Sequence, residues 1–197
     1  MSTIFTMYVT LMSVILAGVS NMIFCKHPVF EHLNQPMDGG RRWKKDQKRL
    51  FGANKTWKGF IGMIAFGTLF QILWGFLSKA IPVLADYNYI YQYQTNTLAL
   101  NAAVGFSLGF AYVLFELPNS FIKRRLNILP GKQANNRLRW LFIIIDQIDS
   151  LIGCTLLLAV IIPMTLGRFI AFILLGGLSH IAINKILYKF NLRKNPY

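Results

Sequence analysis

The sequence predicts an all-α, polytopic integral membrane protein with five transmembrane helices. Of its 197 residues, 54% are hydrophobic and only 14% are charged, a balance too apolar for a soluble domain of this size. Apolar runs long enough to cross roughly 30 Å of hydrocarbon recur along the chain. We predict one membrane-embedded domain over residues 1–197, with spans at about 4–24, 59–77, 98–117, 140–162 and 169–184.

The basic residues predict which side of the membrane each loop faces. Two loops, 25–58 and 118–139, and the tail from Lys185 carry 19 Lys and Arg, whereas the opposite side carries only Lys79 and Arg168. The positive-inside rule therefore places both basic loops and the C-terminus in the cytoplasm, with the N-terminus outside. No Lys or Arg precedes the first span and no small-residue cleavage site follows it, so we expect a retained anchor.

The net charge of +14 is consistent with basic loops that bind anionic headgroups beside a bilayer. A nucleic-acid partner is not expected, because the charges are divided among short loops and no separate basic domain is present. Within the spans, Gly105 and Gly109 predict close packing between helices. His180 and Asn184, four residues apart on the last span, predict interhelical hydrogen bonds rather than metal ligation.

An acidic pair, Asp146 and Asp149, interrupts the apolar run 140–162. A carboxylate in a spanning helix is costly, so it indicates function. A spacing of three places both side chains on one helical face, about 5 to 6 Å apart at Cβ, where they could hold hard cations. Glu116, toward the same end of the preceding span, could be a third carboxylate. The pattern predicts a Mg²⁺-dependent site for a polyphosphate at the cytoplasmic surface.

The first basic loop ends in a candidate anion site, Asn54-Lys55-Thr56-Trp57-Lys58-Gly59. It is not a P-loop, because that motif requires Gly where Asn54 stands and a preceding strand. A turn that opens a helix nevertheless offers unpaired N–H groups and the positive end of the helix dipole to an anion. We therefore predict phosphate binding by this turn, through Asn54, Lys55, Thr56 and Lys58.

The second basic loop contains a candidate phosphate clamp. Pro118 suits the first turn of a helix, so we expect a short cytoplasmic helix from Pro118 to near Pro130. On that helix Ser120, Lys123 and Arg124 fall at i, i+3 and i+4. One face then offers a hydroxyl, an ammonium and a guanidinium to phosphate oxygens.

Three of these segments resemble the motifs of the CDP-archaeol synthase family, compact relatives of the CTP:phosphatidate cytidylyltransferases. They are 54–59, the run 120–125 followed by Pro130-Gly131, and Asp146-Gln147-Ile148-Asp149. The resemblance covers about residues 38–150, and the first and fifth spans support it only by number. It implies a membrane-embedded catalytic domain in which CTP and a lipid phosphomonoester give a CDP-activated lipid and pyrophosphate, with Mg²⁺ required.

The resemblance also implies roles for individual residues. Asp146, Asp149 and Glu116 would bind the metal. Phosphates would be clamped by the catalytic cations and nucleotide-binding residues, namely Lys55, Lys123, Arg124, Arg125 and Ser120. The site would face the cytoplasm of a multi-pass protein of the cell membrane.

The lipid substrate remains open at this stage. Gln147 between the aspartates, where the phosphatidate enzymes have Arg, favours the archaeal-type branch, yet either an archaeal-type ether lipid phosphate or phosphatidate would fit. A different class also remains, a non-catalytic polytopic protein for lipid binding, transport or assembly in which the acidic pair is structural. Transporters usually show paired repeats and broken spans, whereas the five predicted spans show no internal duplication, which disfavours a transporter. The sequence leaves open the oligomeric state and the number of metal ions.

Overall fold

Five long helices make up most of the structure, a computed structural model that describes residues 3–134 and 137–189. In chain order the helices are α1 Thr3–Lys26, α2 Trp57–Ala80, the short α3 Pro82–Asp86 and α4 Tyr89–Tyr93, α5 Leu98–Arg125, α6 Arg139–Ile161 and α7 Leu166–Lys189. The five long helices are each long and apolar enough to cross a membrane. The predicted all-α, five-span fold is therefore confirmed. The predicted tail beyond Lys189 lies outside the described residues.

The third span differs from expectation because it continues through Pro118. α5 runs unbroken to Arg125, whereas we expected a new helix to begin at the proline. Proline removes one backbone hydrogen bond, a loss that a helix in a bundle tolerates when its neighbours hold it on both sides. Glu116 contacts the loop before α2, and Asn119 contacts α6. The expectation of a separate short cytoplasmic helix was wrong.

α5 ends at Arg125, and two residues later the backbone of Asn127 is left-handed with φ of 60°. The N–H of Ile128 donates to the carbonyl of Lys123 at 2.9 Å, the bond expected of a Schellman cap. The last two turns of α5 therefore extend past the apolar part of the span, and they carry polar side chains on the face that meets α6.

The long helices pack in a ring: α1 on α2, α2 on α5, α5 on α6, α6 on α7, and α7 back on α1. Gly105 and Gly109 bring α5 against α2. A Cβ on Gly105 would lie 2.5 Å from the carbonyl oxygen of Gly67, and one on Gly109 would lie 2.7 Å from that of Met63. The close packing predicted from these glycines is confirmed.

A neutral polar cluster, here called the Gln71 network, joins four helices at the end of the bundle near α4. Ser13 Oγ donates to Gln71 Oε1 at 2.6 Å, and Gln71 Nε2 donates to Tyr91 Oη at 3.1 Å and to Asn101 Oδ1 at 3.2 Å. Asn101 Nδ2 donates in turn to Asn96 Oδ1 at 2.7 Å. These bonds tie α1, α2, α4 and α5 together without a charge.

At the other end, the loop of residues 27–56 folds around the buried carboxylate of Asp38. That carboxylate accepts hydrogen bonds from one side chain and three backbone N–H groups, those of Arg49, Gly40, Phe51 and Gly52. Burial would raise the pKa of Asp38, but these donors lower it to about 2. The loop is thus held as a folded cap beside the ends of α1, α2 and α5.

Candidate active site

A cavity of about 480 Å³ opens among α1, α5, α6, α7 and the two basic loops. Its wall carries five basic and three acidic side chains, those of Lys26, Lys55, Lys123, Arg124, Lys132, Glu116, Asp146 and Asp149. Asn54 and Ser120 also line it. Most of the predicted site residues, distant in sequence, therefore share one cavity at the end of the bundle opposite the Gln71 network.

The centre of the cavity is a contact between α5 and α6. Asn119 Nδ2 donates to Asp146 Oδ1 and to Asp149 Oδ2, both at 2.7 Å. Lys123 Nζ lies 2.5 Å from each carboxylate oxygen of Asp146. The N–H of Ser150 donates to the second oxygen of Asp149 at 2.7 Å. The two carboxylates are thus adjacent, and one amide group bridges them.

Lys55 reaches the cavity from the turn before α2 and forms an ion pair with Glu116 of α5. Burial alone would lower the pKa of Lys55, but the attraction and hydrogen bond of Glu116, with Asp149 and Asp146 farther away, raise it above its ordinary value. Lys55 therefore remains an ammonium beside the aspartates, and Glu116 orients it.

Arg124 offers unused donors at the cavity wall. The residue is only 8% exposed, yet its Nε and Nη1 have no hydrogen-bond partner within the described structure. Buried guanidinium N–H groups without partners are costly, and two oxygens of a phosphate match the planar fork of the guanidinium. Gly52 leaves room for it, because a Cβ there would lie 3.2 Å from Nη1. This geometry suits the binding of an anion.

Comparison with known proteins gives a consistent result. A sequence model of the family described as CDP-archaeol synthase (CarS-like) matches residues 3–197. The CDP-archaeol synthase of Thermococcus gammatolerans is 29% identical over 170 residues, 86% of each chain. That of Archaeoglobus fulgidus is 33% identical over 167 residues, 82% of this chain and 84% of the relative.

This chain belongs to the CDP-archaeol synthase family. A solved structure described as an intramembrane enzyme for archaeal membrane lipids biosynthesis has the same fold, with a TM-score of 0.61 and 21% identity over 90% of this chain and 91% of the other. The predictions of a multi-pass membrane enzyme, a CTP-dependent cytidylyltransferase of lipid biosynthesis, are confirmed. Membership also disfavours the non-catalytic alternative.

Three predicted nucleotide-binding residues instead have structural contacts. Thr56 caps α2, its Oγ1 accepting from the N–H of Gly59 at 3.2 Å. Lys58 has no exposed surface, and its Nζ donates to the carbonyl of His27 at 2.5 Å. Arg125 forms an ion pair with Asp46, with 2.7 Å between Nε of Arg125 and Oδ2 of Asp46. The sequence could not separate these side chains from Lys55 and Arg124, because adjacent residues on one helix or turn point in different directions.

The expected carboxylate ligands are only partly brought together. Among residues 3–134 and 137–189, no three His, Cys, Asp or Glu side chains form a group that could hold a metal. Glu116 is paired with Lys55 rather than grouped with the aspartates. Asp146 and Asp149 do share a face, and the Oδ1 of the bridging Asn119 is buried without a hydrogen-bond partner. Hard oxygen donors of this kind fit Mg²⁺.

Sequence reasoning missed several cavity residues, notably Asn119, Tyr112 and His180. Asn119 directly precedes the predicted clamp, but a helix break at Pro118 hid its register. In the continuous α5, Asn119 is three residues after Glu116 and four before Lys123, so all three share a face. His180 faces α6, where its Nδ1 lies 3.4 Å from the carbonyl of Gln147, and Asn184 Nδ2 donates to Gln147 Oε1 at 2.9 Å. The predicted interhelical bonds of these two residues are confirmed.

An apolar groove between α1 and α7 adjoins the charged cavity. Its wall is almost entirely hydrophobic, with Leu11, Val14, Ile15, Val19, Leu151 and Ile183 along it. Gly18, Met22, Tyr112 and His180 line both the groove and the cavity. An amphiphile could therefore place its charged head among the cavity cations and its chains between the helices.

Proposed function

We propose that this chain transfers a cytidylyl group from CTP to a lipid phosphomonoester of the archaeal ether type in this cavity, releasing pyrophosphate. The junction of the apolar groove with the charged cavity supports this most directly. A water-soluble triphosphate alone needs no hydrocarbon groove, and a lipid carrier needs no second set of phosphate-binding cations. Relatives named CDP-archaeol synthase support the choice of lipid.

In the proposed reaction, an oxygen of the lipid phosphate attacks the α-phosphorus of CTP. The new P–O bond forms as the bond between the α-phosphorus and the oxygen leading to the β-phosphorus breaks, and pyrophosphate leaves with that electron pair. Two anions must approach each other, so the protein has to supply positive charge and position, and it needs no covalent nucleophile.

The cavity residues divide this work. Arg124 offers its unpaired N–H groups to phosphate oxygens, and Lys55, oriented by Glu116, adds a second cation. Lys123 is paired with Asp146, and a bound phosphate could accept hydrogen bonds from its ammonium in place of that carboxylate. Asn54 and Ser120 contribute neutral polar contacts from the wall.

Asp146 and Asp149 are the residues that would hold Mg²⁺, because they are adjacent carboxylates at the centre of the cavity. When bound, the ion would offset charge on the triphosphate and on the departing pyrophosphate. Both residues lie in the first half of α6, and this position supports a site that a lipid phosphate and a nucleotide could both reach.

A labelling experiment tests the reaction. The purified chain is incubated with Mg²⁺, a lipid phosphate and CTP labelled either at the α- or the γ-phosphorus. We expect lipid-extractable label from α-labelled CTP and none from γ-labelled CTP. Lipid-extractable γ-label would indicate a lipid kinase, and no extractable label from either would contradict the proposal. An archaeal-type ether lipid phosphate and phosphatidate are compared to identify the preferred lipid.

We also propose that the cavity faces the cytoplasm, because the cavity end of the bundle carries all but two of the Lys and Arg among the described residues. In a variant with Cys25→Ser and Cys154→Ala, single cysteines are introduced at Lys45 or Gln92, both exposed and at opposite ends of the bundle. A membrane-impermeant thiol reagent added to intact cells should label Gln92→Cys and not Lys45→Cys. The reverse pattern would overturn the orientation.

A further inference from the structure

The side chain of Asn119 is placed to do more than join two helices. It is 8% exposed, and its single amide nitrogen donates to both Asp146 and Asp149. Its Oδ1, by contrast, is buried with no hydrogen-bond partner in the described structure. An unpartnered buried carbonyl oxygen is unfavourable, and this one belongs to an amide that already contacts both carboxylates of the acidic pair.

The orientation of the amide is the one that two facing carboxylates favour without a cation. Two acceptors attract the NH₂ group, so the nitrogen points at Asp146 and Asp149 and the oxygen is left without a donor. A divalent cation between the carboxylates reverses that preference, because the NH₂ end carries positive charge. Half a turn about the Cβ–Cγ bond exchanges the two ends, and an amide oxygen is a hard donor that Mg²⁺ accepts.

We propose that Asn119 is the third protein ligand of the metal, and that its NH₂ group holds the two aspartates in place until the metal binds. Glu116 is paired with Lys55, whereas the amide of Asn119 already contacts both aspartates, so its oxygen is a further hard donor beside the pair. A neutral third ligand leaves more positive charge on the ion for the phosphates than a third carboxylate would. This inference rests on the proposed metal-dependent function and names one more residue of that site.

The position of Asn119 on α5 couples metal binding to the clamp. Asn119 and Lys123 are four residues apart and contact the same carboxylate of Asp146. A metal ion bound to Asp146 would compete with Lys123 for that carboxylate. The ammonium of Lys123 would then be available to a phosphate on the same helical face.

Direct binding of Mn²⁺, followed by electron paramagnetic resonance on the full-length chain without CTP or lipid, tests the proposal. We expect Asn119→Ala to weaken Mn²⁺ affinity at least tenfold, and Asn119→Asp to retain or exceed the wild-type affinity. The matched control is Asn184→Ala. Asn184 is also a buried amide with one bond to α6 and an unpartnered oxygen, but its partner is Gln147. The Asn184→Ala variant should bind Mn²⁺ with the wild-type affinity.

The outcomes separate this inference from the proposed function. Wild-type affinity in Asn119→Ala, together with lost binding in Asp149→Asn, would show that Asn119 only bridges the aspartates and would overturn the inference alone. No saturable binding to the wild-type chain would overturn both it and the proposed metal site. Weakened binding in Asn119→Ala with no CDP-lipid formed by the wild type would support the ligand and contradict the reaction. If Asn119→Ala does not fold, the same comparison is made with Asn119→Ser.

Discussion

Both ends of the helix bundle hold buried polar side chains, and these side chains make different use of their hydrogen-bonding groups. In the Gln71 network, hydrogen bonds join Gln71, Asn96 and Asn101 to one another and to the backbone. In the cavity, Arg124 and Asn119 keep donors or acceptors without partners although both are buried. The first arrangement joins helices, and the second is suited to a ligand.

This difference is informative because charge alone does not identify the binding residues at the cavity end. Several charged residues beside the cavity are as fully engaged as the neutral network. Lys58 is one, bonded to His27 and 5.1 Å from the ring centroid of Phe24. Unused hydrogen-bonding capacity therefore indicates binding where the side chain also lines a cavity, as Arg124 and Asn119 do.

The largest effect is expected from Asp149→Asn. Amide replacement keeps the size of the side chain and removes the charge that would offset a divalent cation, which is worth several kcal/mol, so turnover should fall on the order of 10³-fold. Thermal stability without metal should be equal or higher, because a neutral group costs less to bury. Turnover measured against Mg²⁺ concentration, alongside thermal unfolding, checks both. An active, Mg²⁺-saturable variant would place Asp149 with the structural group.

A second prediction uses two adjacent arginines on α5. Arg124→Lys keeps the charge but removes the planar fork, and losing one charge-assisted hydrogen bond of about 1.5 to 3 kcal/mol should lower kcat/KM by about 10- to 100-fold. Arg125→Lys is the matched control, because Arg125 does not line the cavity. Although its Nε and Nη1 also lack hydrogen-bond partners among the described residues, its guanidinium is held by the ion pair with Asp46, the carbonyl of Arg49 and the ring of Phe121. It should change stability more than kcat/KM. Equal losses of activity in both variants would contradict the distinction.

Sequence alone could predict the five spans and the acidic pair because both depend on local rules. Apolar length predicts spanning helices, and a carboxylate at Asp146 or Asp149 inside such a run is conspicuous at any depth. The roles of the individual basic residues in the loops were harder to predict. Lys55 and Lys58 lie in one turn and look equivalent, yet one lines the cavity and the other is buried beneath the loop of residues 27–56.

The missed role of Asn119 has a specific physical cause. Proline usually marks a helix boundary, so Pro118 separated Glu116 from Asn119 in the sequence-based interpretation. In the bundle, tertiary contacts on both sides carry the helix through the proline, and the two residues fall on one face with Lys123. Whether a proline ends a helix depends on neighbours distant in sequence, and a single sequence does not contain that information.

The third prediction concerns the Gln71 network, where a substitution should lower stability and leave turnover unchanged, the opposite of what is expected for Asp149→Asn. Gln71→Leu should lower the free energy of unfolding by about 1 to 3 kcal/mol, because Ser13 and Asn101 lose a buried partner. Turnover per folded molecule should stay near the wild-type value, since the network lies at the opposite end from the cavity. Thermal unfolding and initial rates at saturating CTP would be measured together. A fall in turnover as large as that of Asp149→Asn would show that the two ends are not separable.

The smallest effect concerns Asp38, a charged residue that resembles the Gln71 network in being fully bonded. Its folded-state pKa of about 2 lies below the ordinary value of 3.8. Its stabilising contribution is therefore fully present above about pH 4 and is lost as the pH falls toward 2. At neutral pH no proteolysis of the loop is expected. Between pH 4 and pH 2, limited proteolysis should begin to cut the loop of residues 27–56, while far-ultraviolet circular dichroism still reports intact helices.

In Asp38→Asn that loop should be cut already at neutral pH, because the carboxylate that accepts hydrogen bonds from Arg49 and three backbone N–H groups is gone. Equal resistance of both proteins at every pH would show that the loop does not depend on this carboxylate, and that a buried, fully bonded charge need not be structural.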